Sequence, residues 1–375
     1  MRHTLALITA SVLLSSGCSS PEQGALAREV ASREADPAPI ADPAPINVYS
    51  ATGPNGLSDT VKGFPERVYV PNSGDNAVDV IDPHTFKIID HFAVGKQPQH
   101  VVPSYDLKTL WVVNDLDDSL TRVDPATGQK LGTVKVEDPY NLYFTPDGRL
   151  AIVVAERLRR LDFRDAASMK LVESVPVPCR GVDHMDFAPS GKYLIATCEF
   201  SGDVVKVDLE TRKVVGALKL SEKAMPQDIR LSPDGRVFYV ADMMGNGVYV
   251  IDGDKLETVS FIPTGKGTHG LYPSRDAKVI YVSNRGEGTI SLLDTSTRAI
   301  TSKWVIPGGG SPDMGGVSTD GKVLWLSGRY HAEVYAIDTQ DGHLVARIKV
   351  GKGPHGLCLY PQPGRYSLGH TGNMR

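Results

Sequence analysis

The chain has 375 residues, a formal net charge of −4, 37 glycines, 26 prolines and four cysteines. That charge offers no electrostatic case for nucleic acid as a main partner, because affinity there comes largely from phosphate neutralisation. Four cysteines exclude a disulfide scaffold, and many turn residues beside abundant Val, Ile, Leu and Tyr predict an all-β protein of short strands.

Met1-Arg2-His3 is a short basic start, and Thr4 to Leu14 is an apolar run too short to span a bilayer. Ser15-Ser16-Gly17-Cys18 follows. This pattern resembles a bacterial lipoprotein signal, which implies cleavage and acylation at Cys18, so that residues 1–18 are a leader. It departs from the family in having Ser15 where Leu is usual. An ordinary cleaved secretory signal is the alternative, and both predict export. The lipid would hold the protein at a cell membrane, facing the periplasm or the cell surface. Residues 19–62 are rich in Pro, Ala and Ser and contain a doubled Asp-Pro-Ala-Pro-Ile. Proline withholds backbone donors, so this stretch predicts an extended tether.

From Phe64 the chain repeats about every 42 residues, and each copy reads as four short strands bounded by Gly, Asp, Asn and Pro. Counting first strands gives Pro98, Pro139, Val182, Pro226, Thr268, Pro312 and Pro354 as equivalent positions. The unit at Phe64 lacks its first strand, and the last copy, Gly351 to Tyr360, is only a first strand. The economical closure has that strand complete the first unit, which removes open edges. The expectation is a seven-bladed β-propeller of four-stranded blades over residues 63–361, with a tail at 362–375.

Tyr281-Val282-Ser283-Asn284 and Tyr239-Val240-Ala241-Asp242 resemble the tetrapeptide of the YVTN-repeat, YncE-like propeller family. The resemblance covers Phe64 to Tyr360. It implies the fold and a binding platform, with no single activity attached.

In such a blade, the loop entering strand one and the loop from strand two to three lie on one face around the central channel. Just after the aligned position the copies carry Gln99-His100, Tyr140-Asn141, Asp183-His184, Gln227-Asp228, His269-Gly270, Asp313-Met314 and His355-Gly356. His100, His184, His269 and His355 with nearby carboxylates make a ligand set for a divalent transition metal. Two of these histidines sit one residue later than the other two, and adjacent strand residues point opposite ways, which argues against convergence. A metal-free polar pocket and purely structural histidines therefore stay open. Asn141, Asp228, Asp313, Arg157, Asp242, Arg285, Arg329 and His331 are candidate ligand-binding residues on the same face. The arginines would suit a carboxylate or phosphate. Were the mouth an active site of a metal-dependent hydrolase, lyase or oxidoreductase, Glu156 and Glu199 would be the candidate bases. A third reading is a platform for a cell-envelope protein partner.

Gly265 to Gly270 satisfies G-x-G-x-x-G, but a strand follows where a dinucleotide site needs a helix, so that reading is rejected. No C-x-x-C-H haem attachment is present. Cys179 and Cys198 approach the upper face of one blade, where a disulfide or a thiolate pair beside His184 is expected. Cys358 reads as a small buried hydrophobe.

Overall fold

A computed structural model describes residues 47–54 and 56–364. It contains 28 strands arranged as seven four-stranded antiparallel sheets. The repeat explains the regularity. In blades 2, 3, 5, 6 and 7 the inner strand ends in a turn locked by a Ser or Thr hydroxyl on an Asp two residues later, as in Thr145 to Asp147 (2.6 Å), Ser274 to Asp276 (2.6 Å) and Ser318 to Asp320 (2.6 Å). Third strands end in an Asp whose carboxylate accepts from the next turn's amides, as Asp82 does from His84 (2.8 Å) and Asp294 from Thr297 (2.7 Å).

Blade 1 contains strands Arg67–Asn72, Ala77–Asp82 and Lys87–Ala93. Blades 2 to 7 open with inner strands Pro98–Pro103, Pro139–Phe144, Val182–Phe187, Pro226–Leu231, Thr268–Pro273 and Pro312–Val317. Inner strands are buried along nearly their whole length, whereas the outer strand Lys87–Ala93 is almost wholly exposed. Hydrophobic packing therefore lies between blades. There are seven buried clusters, and each joins two neighbouring blades, including blade 7 to blade 1 through Trp325, Val334, Val68 and Leu359.

The ring closes as expected. Cys358–Tyr360 lies antiparallel to Arg67–Asn72, pairing Tyr360 with Arg67, Leu359 with Val68 and Cys358 with Tyr69. Leu357 to Tyr360 are all buried, and each such side chain contributes about 1.5–3 kcal/mol relative to exposure.

The structure corrects the end of the expected tether. Residues 50–52 and 59–61 form 3₁₀ helices and pack under the propeller. Tyr49 and Val61 are buried. Tyr49 Oη donates to Leu231 O (2.9 Å), and Val48 N donates to Pro233 O (2.9 Å), both at the lower end of blade 5. Aromatic and β-branched residues here outweigh the local proline content. From the other terminus, Gln362 is buried against Arg275, and Gly364 N donates to Gly56 O (3.1 Å). The leader with Cys18, residues 19–46 of the expected tether and residues 365–375 of the tail lie outside the described residues.

Candidate functional site

The upper mouth is shaped by one backbone irregularity repeated in every blade. Pro98 pairs with Asn114, but the next ladder partners are His100 and Val113, so one residue is extra on the inner strand. The same bulge falls at Pro139/Asn141, Val182/Met185, Pro226/Ile229, Thr268/Leu271 and Pro312/Gly315. Blade 1 has it too, since Asn72 faces Pro354 while Tyr69 faces Cys358. A bulge sets two residues against one and re-aims their side chains. The one-residue offset among the histidines is absorbed there.

The four imidazoles accordingly lie in a row. Ring centroids are 5.5 Å apart for His184 and His100, 4.8 Å for His100 and His355, and 6.2 Å for His355 and His269. Two backbone bonds tie the middle of the row together, Val101 N to Gly356 O (3.1 Å) and Gly356 N to Gln99 O (2.9 Å). Residue 356 must be glycine for this approach, because a Cβ there would stand 1.9 Å from His100 Nδ1.

His269, Asp313 and His355, from blades 6, 7 and 1, offer three ligand atoms within 4.8 Å of one another, all buried. His269 Nδ1 is 3.0 Å from Asp313 Oδ1, and His355 Nε2 is 3.8 Å from Asp313 Oδ2. His269 Nδ1, Asp313 Oδ2 and His355 Nδ1 are solvent-inaccessible and have no aligned hydrogen bond. Arg285 Nη1 donates to Asp313 Oδ1 (3.1 Å).

Burial depresses the imidazoles, and the Arg285 charge adds to it at His269, whose pKa falls to about 4. His100, His184 and His355 are likewise pushed well down, burial first, so these rings are neutral near pH 7. Burial works to raise Asp313, but His269 and Arg285 together hold it well below the usual carboxylate range. The triad thus presents two neutral imidazoles and one carboxylate.

Blades 3 and 4 make the opposite wall acidic. Burial, then the charge of Glu199, raises Glu156 to about 7. Burial also raises Glu199, against a hydrogen bond from Gln227, and Asp183 is driven well up by burial and both glutamates. Asp183 Oδ1 is 3.0 Å from His184 Nε2.

Other candidates are engaged elsewhere. Asp228 accepts from Ile229 N and Leu271 N (both 2.9 Å) and pairs with Arg230 at 3.0 Å, joining blades 5 and 6. Asp242 accepts from Met225 N (2.8 Å) and Met244 N (3.1 Å). Arg157 is held by Asp138 (2.6 Å) and Asp115 O (2.9 Å). Asn141 contacts His184 Nδ1 (3.1 Å), and His331 Nδ1 lies 2.8 Å from Ser311 Oγ. Arg329 borders the histidines, and its charge contributes to the depression of His100 and His355. Cys179 and Cys198 form a disulfide across the upper loop of blade 4, and Cys358 is free and buried.

A second polar layer below the mouth escapes a reading that stops at the bulge pair. Tyr143, Asp186, Arg230 and Tyr272 occupy one repeat position, two residues past the pair. Tyr143 Oη lies 3.2 Å from His184 Nδ1, and Tyr272 Oη donates to Asp313 O (3.1 Å). Asp186 and Arg230, charges inside apolar strands, were the available signal.

Comparison with known proteins agrees with the fold. A family model described as a YNCE-like beta-propeller matches residues 35–363. The chain is 24% identical over 315 residues to the dihydro-heme d1 dehydrogenase of Pseudomonas aeruginosa, covering 80% of this chain and 63% of that protein. It is 26% identical over 203 residues to the uncharacterized protein YncE of Escherichia coli, covering 48% of this chain and 56% of the relative. The chain therefore spans less than two thirds of the length of these curated relatives. Among solved structures, hydrazine synthase from Kuenenia stuttgartiensis superposes with a TM-score of 0.65 at 20% identity, covering 77% of this chain and 94% of that one.

Proposed function

The chain belongs to the YncE-like β-propeller family, and we propose that it is an exported, lipid-anchored propeller that binds a divalent transition metal ion at its upper mouth. One observation carries this reading. Three buried side chains from three blades, His269, Asp313 and His355, each offer one ligand atom, and these atoms lie within 4.8 Å of one another. Two ligand bonds of about 2.0–2.1 Å at a tetrahedral angle put donor atoms about 3.3 Å apart. The spacings of 3.0 Å from His269 Nδ1 to Asp313 Oδ1 and 3.8 Å from His355 Nε2 to Asp313 Oδ2 lie on either side of that value.

His269 and His355 enter as neutral imidazoles, so no proton must be lost before they bind. Asp313 supplies charge, and Arg285 fixes its orientation from behind. His100, beside His355, is the natural fourth ligand. Two or three imidazoles with one carboxylate suit zinc, iron or copper better than calcium or magnesium. A haem-type ligand, which the name of the Pseudomonas relative brings to mind, would have to lie above the rings, because spacings of 4.8–6.2 Å leave no gap for a macrocycle. Export is supported by the leader pattern and by the disulfide, which suits an oxidising compartment. The anchor rests on Gly17-Cys18. A cell-envelope protein reaching the open upper face remains a compatible partner.

A second reading, a metal-dependent enzyme at the same mouth, draws on Glu156. A carboxyl group with a pKa of about 7 is poised to exchange a proton with a metal-bound water.

The test is metal analysis of tag-free protein, wild type against a His269→Ala/His355→Ala double variant. One metal ion per wild-type chain and none in the variant is the expected result. A wild type that binds no zinc, iron or copper, or a variant that keeps its metal, refutes the site.

A further inference from the structure

Blades 6 and 7 place an arginine at the same point, one residue after strands Val279–Asn284 and Val323–Gly328. Their surroundings differ. Arg285 bonds Asp313, contacts Met243 Sδ at 2.7 Å, and lies 5.2 Å over the Tyr330 ring. Arg329 Nη1 is solvent-inaccessible and has no hydrogen-bond acceptor. Among the described residues no carboxylate lies within ion-pair distance of Arg329. Yet its charge reaches His100, His355, Tyr140 and Glu199, which places it at the edge of the same mouth.

A solvent-excluded donor without an acceptor costs about 1–3 kcal/mol, and more when it is charged. Asp313 already accepts from Arg285, and Nη1 of Arg329, the enclosed end of a partly exposed side chain, has a hydrogen bond left to give at the mouth. We propose that the mouth binds a small oxoanion, a carboxylate or a phosphate, against the Arg329 guanidinium, with another oxygen of the anion on the metal ion. The planar fork of arginine fits two oxygens of such a group. Only the second contact rests on the metal reading.

Calorimetric titration of the full chain with oxalate and with inorganic phosphate tests this, before and after zinc loading of chelator-treated protein. Wild type is expected to show saturable one-site binding of at least one probe, tighter when zinc is present. Arg329→Gln should weaken it at least tenfold in both states, Arg329→Lys less so, with zinc stoichiometry unchanged in each. Which probe binds distinguishes carboxylate from phosphate. Arg329→Gln binding as tightly as wild type overturns the proposal, as does failure of both probes to saturate. Anion binding lost in Arg329→Gln but accompanied by no zinc uptake in wild type would sink the metal reading and keep the Arg329 site. Zinc uptake without anion binding would do the reverse.

Discussion

Replacing Gly356 with alanine probes the contact on which the mouth depends. The new Cβ would lie 1.9 Å from His100 Nδ1, where ordinary contact begins near 3.4 Å, a shortfall of about 1.5 Å. Strand 356 cannot simply retreat, because its N–H and C=O both bond the neighbouring inner strand at Gln99 and Val101. The imidazole must therefore leave its rotamer or the two strands must part. Overpacking of this kind costs about 1–3 kcal/mol. Urea unfolding should show a lower midpoint with an unchanged slope, and metal affinity should fall because His100 moves relative to His355. Gly53→Ala, with nothing within 4 Å, is the control and should shift stability by less than about 0.5 kcal/mol. A double-mutant cycle decides the cause. In a His100→Ala background the clash is gone, so Gly356→Ala should cost little. An undiminished cost in that background would refute the reasoning.

Asp313→Ala leaves Arg285, 8% exposed, without its carboxylate and should lower stability by about 3–5 kcal/mol in denaturant unfolding. A loss below 1 kcal/mol would show the pair to be idle. Glu156 has its folded pKa raised from 4.5 to about 7, so the folded state holds a proton that the unfolded state releases. Its contribution is greatest below pH 4.5 and is lost as pH rises towards 7. Glu156→Gln should therefore gain stability over wild type at pH 8 relative to pH 4.5, and urea unfolding at the two values would expose a pH-independent difference. Converting Cys179 and Cys198 to serine opens a link of sequence separation 19 and should cost about 3 kcal/mol in the loop-entropy picture. Equal urea midpoints for variant and oxidised wild type would contradict this.

The fold was legible because repetition averages away local ambiguity. Seven aligned turn-and-strand units fix blade number, strand order and even the closing strand, which no single segment could establish. The mouth was legible in membership and not in geometry. Offsetting His100 and His184 by one residue from His269 and His355 argues for opposite orientations on a regular strand. The bulge at Pro98/His100 and its equivalents reverses that conclusion, and no residue type marks it. Position on the channel likewise does not say what a side chain is bonded to. Asp313 and Asp228 come from neighbouring registers, yet Asp228 is committed to two amides and Arg230 while Asp313 keeps one carboxylate oxygen without an aligned hydrogen bond. Residues 47–62 were misread for a different reason. The burial of Tyr49 and Val61 depends on docking sites supplied by blades 1 to 5, which composition cannot see.

Closing the first blade with the last strand also sets an order in time. Ser73 bonds Gly353 across 280 residues, so a chain made from its N-terminus holds an incomplete blade 1 until residues 353–360 are available. His355 arrives on that same strand, and only then can it meet His100 and complete the triad with His269 and Asp313. A partly built ring therefore lacks the cluster of His269, Asp313 and His355, which exists only once the closing strand has docked.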